Sequence, residues 1–229
     1  MSFSEKFYLN FIKDDRWKYL TTGLQNTVVI ALCAVLIGVA IGFFIALVRT
    51  THDKTGKMKI LNFIAKLYLT IIRGTPALIQ LLIIYYVVFA SIDINKILVA
   101  SVAFGLNSAA YVAEIFRSGI MSIDRGQMEA GRSLGLNYNT TMWLIIMPQA
   151  IKNILPALGN EFIVLLKETS ISGYIAIQDL TKGGDIIRSR TYEAFLPLVA
   201  VALIYLVMVI GLEKLVALLE RRLAKSDYR

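Results

Sequence analysis

From Tyr19 to Val48 the chain runs thirty consecutive residues without a formal charge. A helix rises about 1.5 Å per residue, so about 20 apolar residues cross the hydrocarbon of a bilayer. A run this long in a soluble fold would need a core larger than a short chain supplies. Of the 229 residues, 57% are apolar and 17% charged, whereas soluble domains hold about a quarter charged residues. The chain therefore reads as an all-α polytopic membrane protein.

Five apolar stretches define the expected spans, over 21–48, 67–92, 97–113, 153–174 and 194–219. The residues before them mix charges with Phe3, Phe7, Tyr8, Phe11, Ile12 and Trp17, the pattern of an amphipathic segment on the membrane surface. No small-residue cleavage site follows it, which argues against a signal peptide. An odd number of spans puts the termini on opposite sides. The first loop, third loop and C-terminus together hold fourteen Lys and Arg, including Lys225 and Arg229, against eight on the opposite side. Positive charge collects in the cytoplasm, so the N-terminus is expected outside and the C-terminus inside. The same rule accounts for most of the net charge of +8 without nucleic acid.

The chemistry is bounded by what is scarce. Cys33 is the single cysteine, so no intrachain disulfide forms, and with the single histidine, His52, it makes no metal-ligand set. No G-x-x-x-x-G-K-[ST] loop occurs, and Thr55-Gly56-Lys57 lacks both its leading glycine and its trailing hydroxyl. Any nucleotide that drives this protein is expected on another chain. No cofactor and no metal are expected on this one.

The third loop, 115–150, carries the densest signal. Asp124 with Gln127 three residues on has the form of a capping box, and Gly135 is placed to end the helix. Asn139 is expected to cap a second run, which Pro148 interrupts. Within the first span, Gly38 and Gly42 are spaced for close approach of another helix. Pro76, Pro148, Pro156 and Pro197 lie in or beside helical runs, where each removes a backbone hydrogen bond and can break or kink the helix.

Glu129-Ala130-Gly131, then Gly135, then Ile146-Met147-Pro148-Gln149-Ala150 resembles the EAA loop of ATP-binding-cassette importer permeases. Arg73-Gly74-Thr75-Pro76, Ala110-Tyr111-Val112-Ala113-Glu114 and Asn160-Glu161-Phe162-Ile163 are similar to the polar amino-acid uptake branch of that family. The likeness covers about 21–219. It implies a type I, five-span permease subunit in a bacterial inner membrane. Its implied partners are a second permease subunit as a homodimer, two cytoplasmic ATPases carrying ATP and Mg, an extracytoplasmic solute-binding protein and an amino-acid substrate in membrane lipid. Glu129, Ala130, Gly131, Gly135 and Leu136 would form the ATPase-coupling site. Gly131 stands where the family usually has a second Ala. The implied organisation is an interfacial segment over 1–20, a permease domain over 21–219 and a cytoplasmic tail over 220–229.

Ionisable residues at membrane depth are costly and are functional candidates. Arg73 and Glu114 lie at similar expected depth and are read as a structural ion pair. Glu161 lies deeper, and Glu168, seven residues on, falls on nearly the same helical face, with Ser172 continuing the stripe. Glu161 is expected to bind an α-ammonium, with Asn160, Ser172 and Glu168 also at the substrate site. A second acid at Glu168 favours arginine, lysine or histidine. Asn107 and Ser108 offer further polar groups. The competing reading is an ion-coupled secondary transporter with Glu161 as the coupling acid. It needs no docking helix, and the internal repeats that would support it are not evident.

Overall fold

The computed structural model describes residues 2–224, and every regular element among them is helical. Met1 and 225–229, the latter with Lys225 and Arg229 of the expected tail, lie outside the described residues. The uncharged run forms the middle of α2, Trp17–Thr55, whose 39 residues are nearly twice the bilayer's need of about 20. Gly56, at φ +66, ends it in the left-handed conformation, donating its amide to the His52 carbonyl.

The second expected span is not one helix. Lys59–Gly74 forms α3 and Ala77–Ile83 forms α4, which winds on as a wider π turn through Val88, and the two are bent by 111°. Pro76 has no amide hydrogen and forces its predecessor out of the helical region. Thr75 accordingly sits at φ −126, ψ 148.

Lys96–Met121 forms α5, the central helix. In its most apolar stretch 67% of residues are buried, against 11% in the outermost helix α10, Phe195–Ala224. Between them lie α8, Met147–Glu168, a 3-10 segment over Thr169–Ile175, and α9, Leu180–Thr191. Among the described residues α2, α5 and α10 are long and apolar enough to cross a membrane, and the bent α3–α4 pair is a fourth candidate. The remaining expected span, α8, carries Glu161, Lys167 and Glu168. Length and apolarity thus give three to four crossings where the sequence pattern suggests five.

Helices in a bilayer gain little from leaving lipid for one another, so close van der Waals packing decides their contacts. Gly38 and Gly42 press α2 onto α5. A Cβ on Gly38 would lie 2.9 Å from Ser108 Oγ, and one on Gly42 2.8 Å from the Ala109 carbonyl. Around this seam Ile30 and Ala34 of α2 meet Leu81 of α4, Phe104 of α5 and Leu165 of α8.

The N-terminal segment is more structured than an amphipathic surface strip requires. Phe3–Phe7 forms α1, closed by a reciprocal capping box between Ser2 and Glu5. A π turn over Tyr8–Ile12 and a tight turn at Lys13–Asp15 lead into α2. Arg16 is buried there, donating to the Leu9 carbonyl at 2.7 Å and to Asp14 at 2.9 Å. Asn10, fully buried, ties the segment to Thr191 and Glu193. Phe3, Phe7, Tyr8 and Ile12 remain exposed.

At the other end of the molecule Arg125–Ser133 forms α6 and Tyr138–Thr141 forms α7. Asp124 caps α6 by accepting from the Gly126 amide at 2.7 Å, and Gly135, at φ +83, turns the chain out of it. The second run is capped by Asn137, not Asn139, because its side chain reaches the Thr140 amide. Pro148 does not interrupt that run. It lies in the first turn of α8, where an amide hydrogen is not needed, and a π turn over Met142–Ile146 joins α7 to α8.

Candidate functional site

Glu161 stands in the middle of α8 and faces α5. Ser108 Oγ, fully buried, donates to Glu161 Oε1 at 2.7 Å. The site exists because Gly38 leaves room for the serine hydroxyl between α2 and α5. Glu161 is half-buried, so its second oxygen is left to another donor.

One residue before Ser108, Asn107 Nδ2 donates to Gln80 Oε1 at 2.8 Å. The Gln80 amide in turn donates to the Ile72 carbonyl at 2.8 Å, the Thr75 carbonyl at 3.0 Å and Thr75 Oγ1 at 2.8 Å. These acceptors surround the α3–α4 break, where helical carbonyls lose their partners. Gln80 was not singled out in the sequence. Its signal was a lone amide four residues after Pro76 in an otherwise apolar run.

Glu168 is the last residue of α8, half-buried, within electrostatic reach of Glu161 and next to exposed Lys167. Asn160 is exposed on α8. Ser172 does not continue the stripe. The chain tightens into the 3-10 segment after Glu168, which rephases the face, and Ser172 is fully buried with its hydroxyl unpartnered. Beyond it lies a buried carboxyl the sequence did not flag, Asp179. It caps α9 by accepting the Lys182 amide at 2.6 Å, while its Oδ2 has no partner, and burial pushes its pKa up to about 6.

Arg73 and Glu114 do not form the expected ion pair. Arg117, one turn on along α5, donates to Glu114 at 2.9 Å, and Arg49 of α2 lies 4.0 Å away. The 111° bend instead leaves the Arg73 guanidinium 6.0 Å from the Tyr111 ring.

On α6, Glu129 and Ala130 are exposed and Gly131 is buried; just past its end Gly135 is exposed and Leu136 half-buried. A Cβ on Gly131 would lie 2.5 Å from Thr141 Cγ2 and 3.2 Å from Ile145 Cδ1. The glycine therefore seats α6 against the run that leads into α8. Leu134, 81% exposed, adds an apolar group beside this exposed set that the motif did not include. The site thus has two parts, a polar level at mid-helix and an exposed short helix at one end, joined by a continuous run from α7 into α8.

Residues 38–225 match the family of binding-protein-dependent transport system inner membrane components. The chain is 37% identical over 210 residues to a Rickettsia bellii (strain RML369-C) protein named for glutamine transport as a system permease, covering 91% of this chain and 94% of the relative. It is 36% identical over 211 residues to the arginine transport system permease of Bacillus subtilis (strain 168), covering 91% and 94%. Among solved structures, a crystal structure of an amino acid ABC transporter with histidines superposes with a TM-score of 0.83 at 46% identity, covering 90% of this chain and 94% of that one. An inward-facing methionine ABC transporter shares the fold, with a TM-score of 0.71 at 20% identity over 93% and 98%.

Proposed function

Because the chain belongs to the family of binding-protein-dependent transport system inner membrane components, we propose that it is the permease subunit of an ATP-driven importer of a polar amino acid. Two copies enclose the pathway, since one chain has too few spans to do so alone. Each copy crosses the inner membrane five times, with α8 as the fourth crossing, the N-terminus outside and the C-terminus in the cytoplasm. Residues 1–20 lie at the outer interface, 21–219 form the permease domain and 220–229 the cytoplasmic tail. An external solute-binding protein delivers the amino acid. Two ATPases, holding the ATP and Mg, seat α6 through Glu129, Ala130, Gly135 and Leu136, while buried Gly131 holds α6 against the run that follows it.

The observation that carries this reading is the Ser108–Glu161 hydrogen bond at mid-helix. An acid held at that depth with one oxygen left to another donor suits the α-ammonium common to all amino acids. Glu168, about 10 Å further along α8 by helical rise, suits a basic side chain, with exposed Asn160, next to Glu161 in the chain, as a neutral polar group. Names of relatives support an amino-acid cargo and span glutamine, arginine and cystine. The basic preference rests on the second carboxylate. An ion-coupled mechanism through Glu161 gains nothing from the family, whose members depend on a binding protein.

The test is ATP hydrolysis by proteoliposomes holding this chain, its ATPase and its delivery protein, across arginine, lysine, histidine, glutamine and glutamate. Stimulation by the basic members is expected. Stimulation by glutamine or glutamate alone would discard the two-carboxylate selectivity, and no stimulation by any member would overturn the importer reading.

A further inference from the structure

Gln80 is 8% exposed, and its side chain is fully committed. Three acceptors, the Ile72 and Thr75 carbonyls and Thr75 Oγ1, share its two amide hydrogens, and Oε1 takes the Asn107 amide. It therefore does two things at once. It satisfies the break between α3 and α4, and it joins that break to α5. The next residue of α5, Ser108, is bonded to Glu161 of α8. Neighbouring residues on a helix point about 100° apart. Two bonds from adjacent positions to different helices fix the rotation of α5 as well as its distance from each.

We propose that Gln80 is a positioning residue for the substrate: by holding Asn107 against the helix break, it sets the rotation of α5 at which Ser108 orients the Glu161 carboxylate. This rests on the assignment of Glu161 to the substrate ammonium. With Ser108 on Oε1, the other oxygen meets the ammonium in one orientation, and the cost of ordering is met before binding. Without Gln80, α5 keeps the Tyr68 hydroxyl on its Leu106 carbonyl but loses the restraint at Asn107, next to Ser108, and the carboxylate samples several orientations. Substrate affinity falls, while the hydrolytic machinery on the partner chains is unaltered.

Uptake of the amino acid that stimulates hydrolysis most, measured in the same proteoliposomes and normalised to assembled complex, tests the proposal. Gln80→Leu is expected to raise the apparent KM five- to twentyfold with kcat within about twofold. Gln80→Glu keeps the acceptor for Asn107 and loses the donors to the break, so it is expected to fall between. Added to Glu161→Gln, Gln80→Leu is expected to raise KM no further, because it acts through that carboxylate. A purely structural role would lower the yield of assembled complex and leave KM alone. Wild-type KM in Gln80→Leu, or full additivity with Glu161→Gln, overturns the positioning role and spares Glu161. Wild-type uptake by Glu161→Gln overturns both. If Gln80→Leu does not assemble, Asn107→Ala cuts the same link and leaves the break satisfied, and the same KM shift is expected of it.

Discussion

Ser108 Oγ and Glu161 Oε1 meet at 2.7 Å across the α5–α8 seam, and no basic side chain shares that carboxylate among the described residues. A buried acid neutralised by a permanent partner would be structural. One held by a hydroxyl alone keeps its charge available to a cation that arrives and leaves.

Replacing Glu161 by Gln keeps an acceptor for Ser108 and removes the charge. Assembly is expected to stay near wild type, while uptake falls at least tenfold, since a charge-assisted bond is about twice as strong as a neutral one. Uptake assays on reconstituted complex check this, and unchanged rate and substrate range would sink the assignment.

Gly38→Ala and Gly42→Ala separate two kinds of crowding. The first meets a serine hydroxyl at 2.9 Å, which has some freedom to rotate. The second meets a backbone carbonyl and Val112 at 2.8 Å, which do not. Overpacking costs about 1–3 kcal/mol, and Gly42→Ala is expected at the upper end. Thermal unfolding in detergent should rank Gly42→Ala below Gly38→Ala.

Gly131→Ala is expected to lift α6 from Thr141 and weaken its contact with the ATPase. Thr141→Ser removes the methyl that the new Cβ would strike at 2.5 Å, so the double substitution is expected to restore it. Cysteine crosslinking between Glu129→Cys and the ATPase reads both. Equal crosslinking in Gly131→Ala and wild type would refute the packing argument.

Two carboxyls near α9 give opposite dependences on pH. Burial pushes Asp179 up to about 6. The native chain therefore holds that proton more tightly than the unfolded chain, whose group titrates near 3.8. Stability from it is full below about pH 4 and lost as pH rises through about 6, by an amount on the order of 3 kcal/mol. Hydrogen bonds and charge from Lys182 and Arg188 hold Asp185 below the usual range, so its contribution is present at neutral pH and lost in acid. Asp179→Asn should flatten the stability profile between pH 4 and 6 and leave the acid limb unchanged. A profile that keeps its slope in that window would show that another group carries it.

What was legible in the sequence followed from periodicity and scarcity. Thirty uncharged residues specify α2, Gly38 and Gly42 specify a close seam, and Asp124 with Gly135 brackets a short helix. These are local rules that survive any tertiary context. The Arg73–Glu114 pair failed because equal depth says nothing about azimuth, and the bend at Thr75–Pro76 swings Arg73 toward Tyr111 while Arg117 reaches Glu114 from its own helix. Ser172 failed because a switch from α to 3-10 geometry after Glu168 leaves no mark in hydrophobic spacing. Gln80 escaped notice because one amide in an apolar run has no meaning until the orphaned carbonyls it satisfies are brought within 3 Å.

The π turn at Met142–Ile146 separates chain length from phase. A π turn holds one residue more than the α-helical turn it replaces, so deleting a single residue there would let the helix close as ordinary α and leave α8 in nearly its present orientation. Deleting one from the α-helical stretch between Met147 and Glu161 would instead turn Glu161 by about 100° relative to the run before it. Glu161 would then leave Ser108 and face a different neighbour, though no residue near it had changed. Chimeras that splice the loop of a relative into this chain therefore have to conserve the residue count between Met147 and Glu161, and can lose one residue at the π turn.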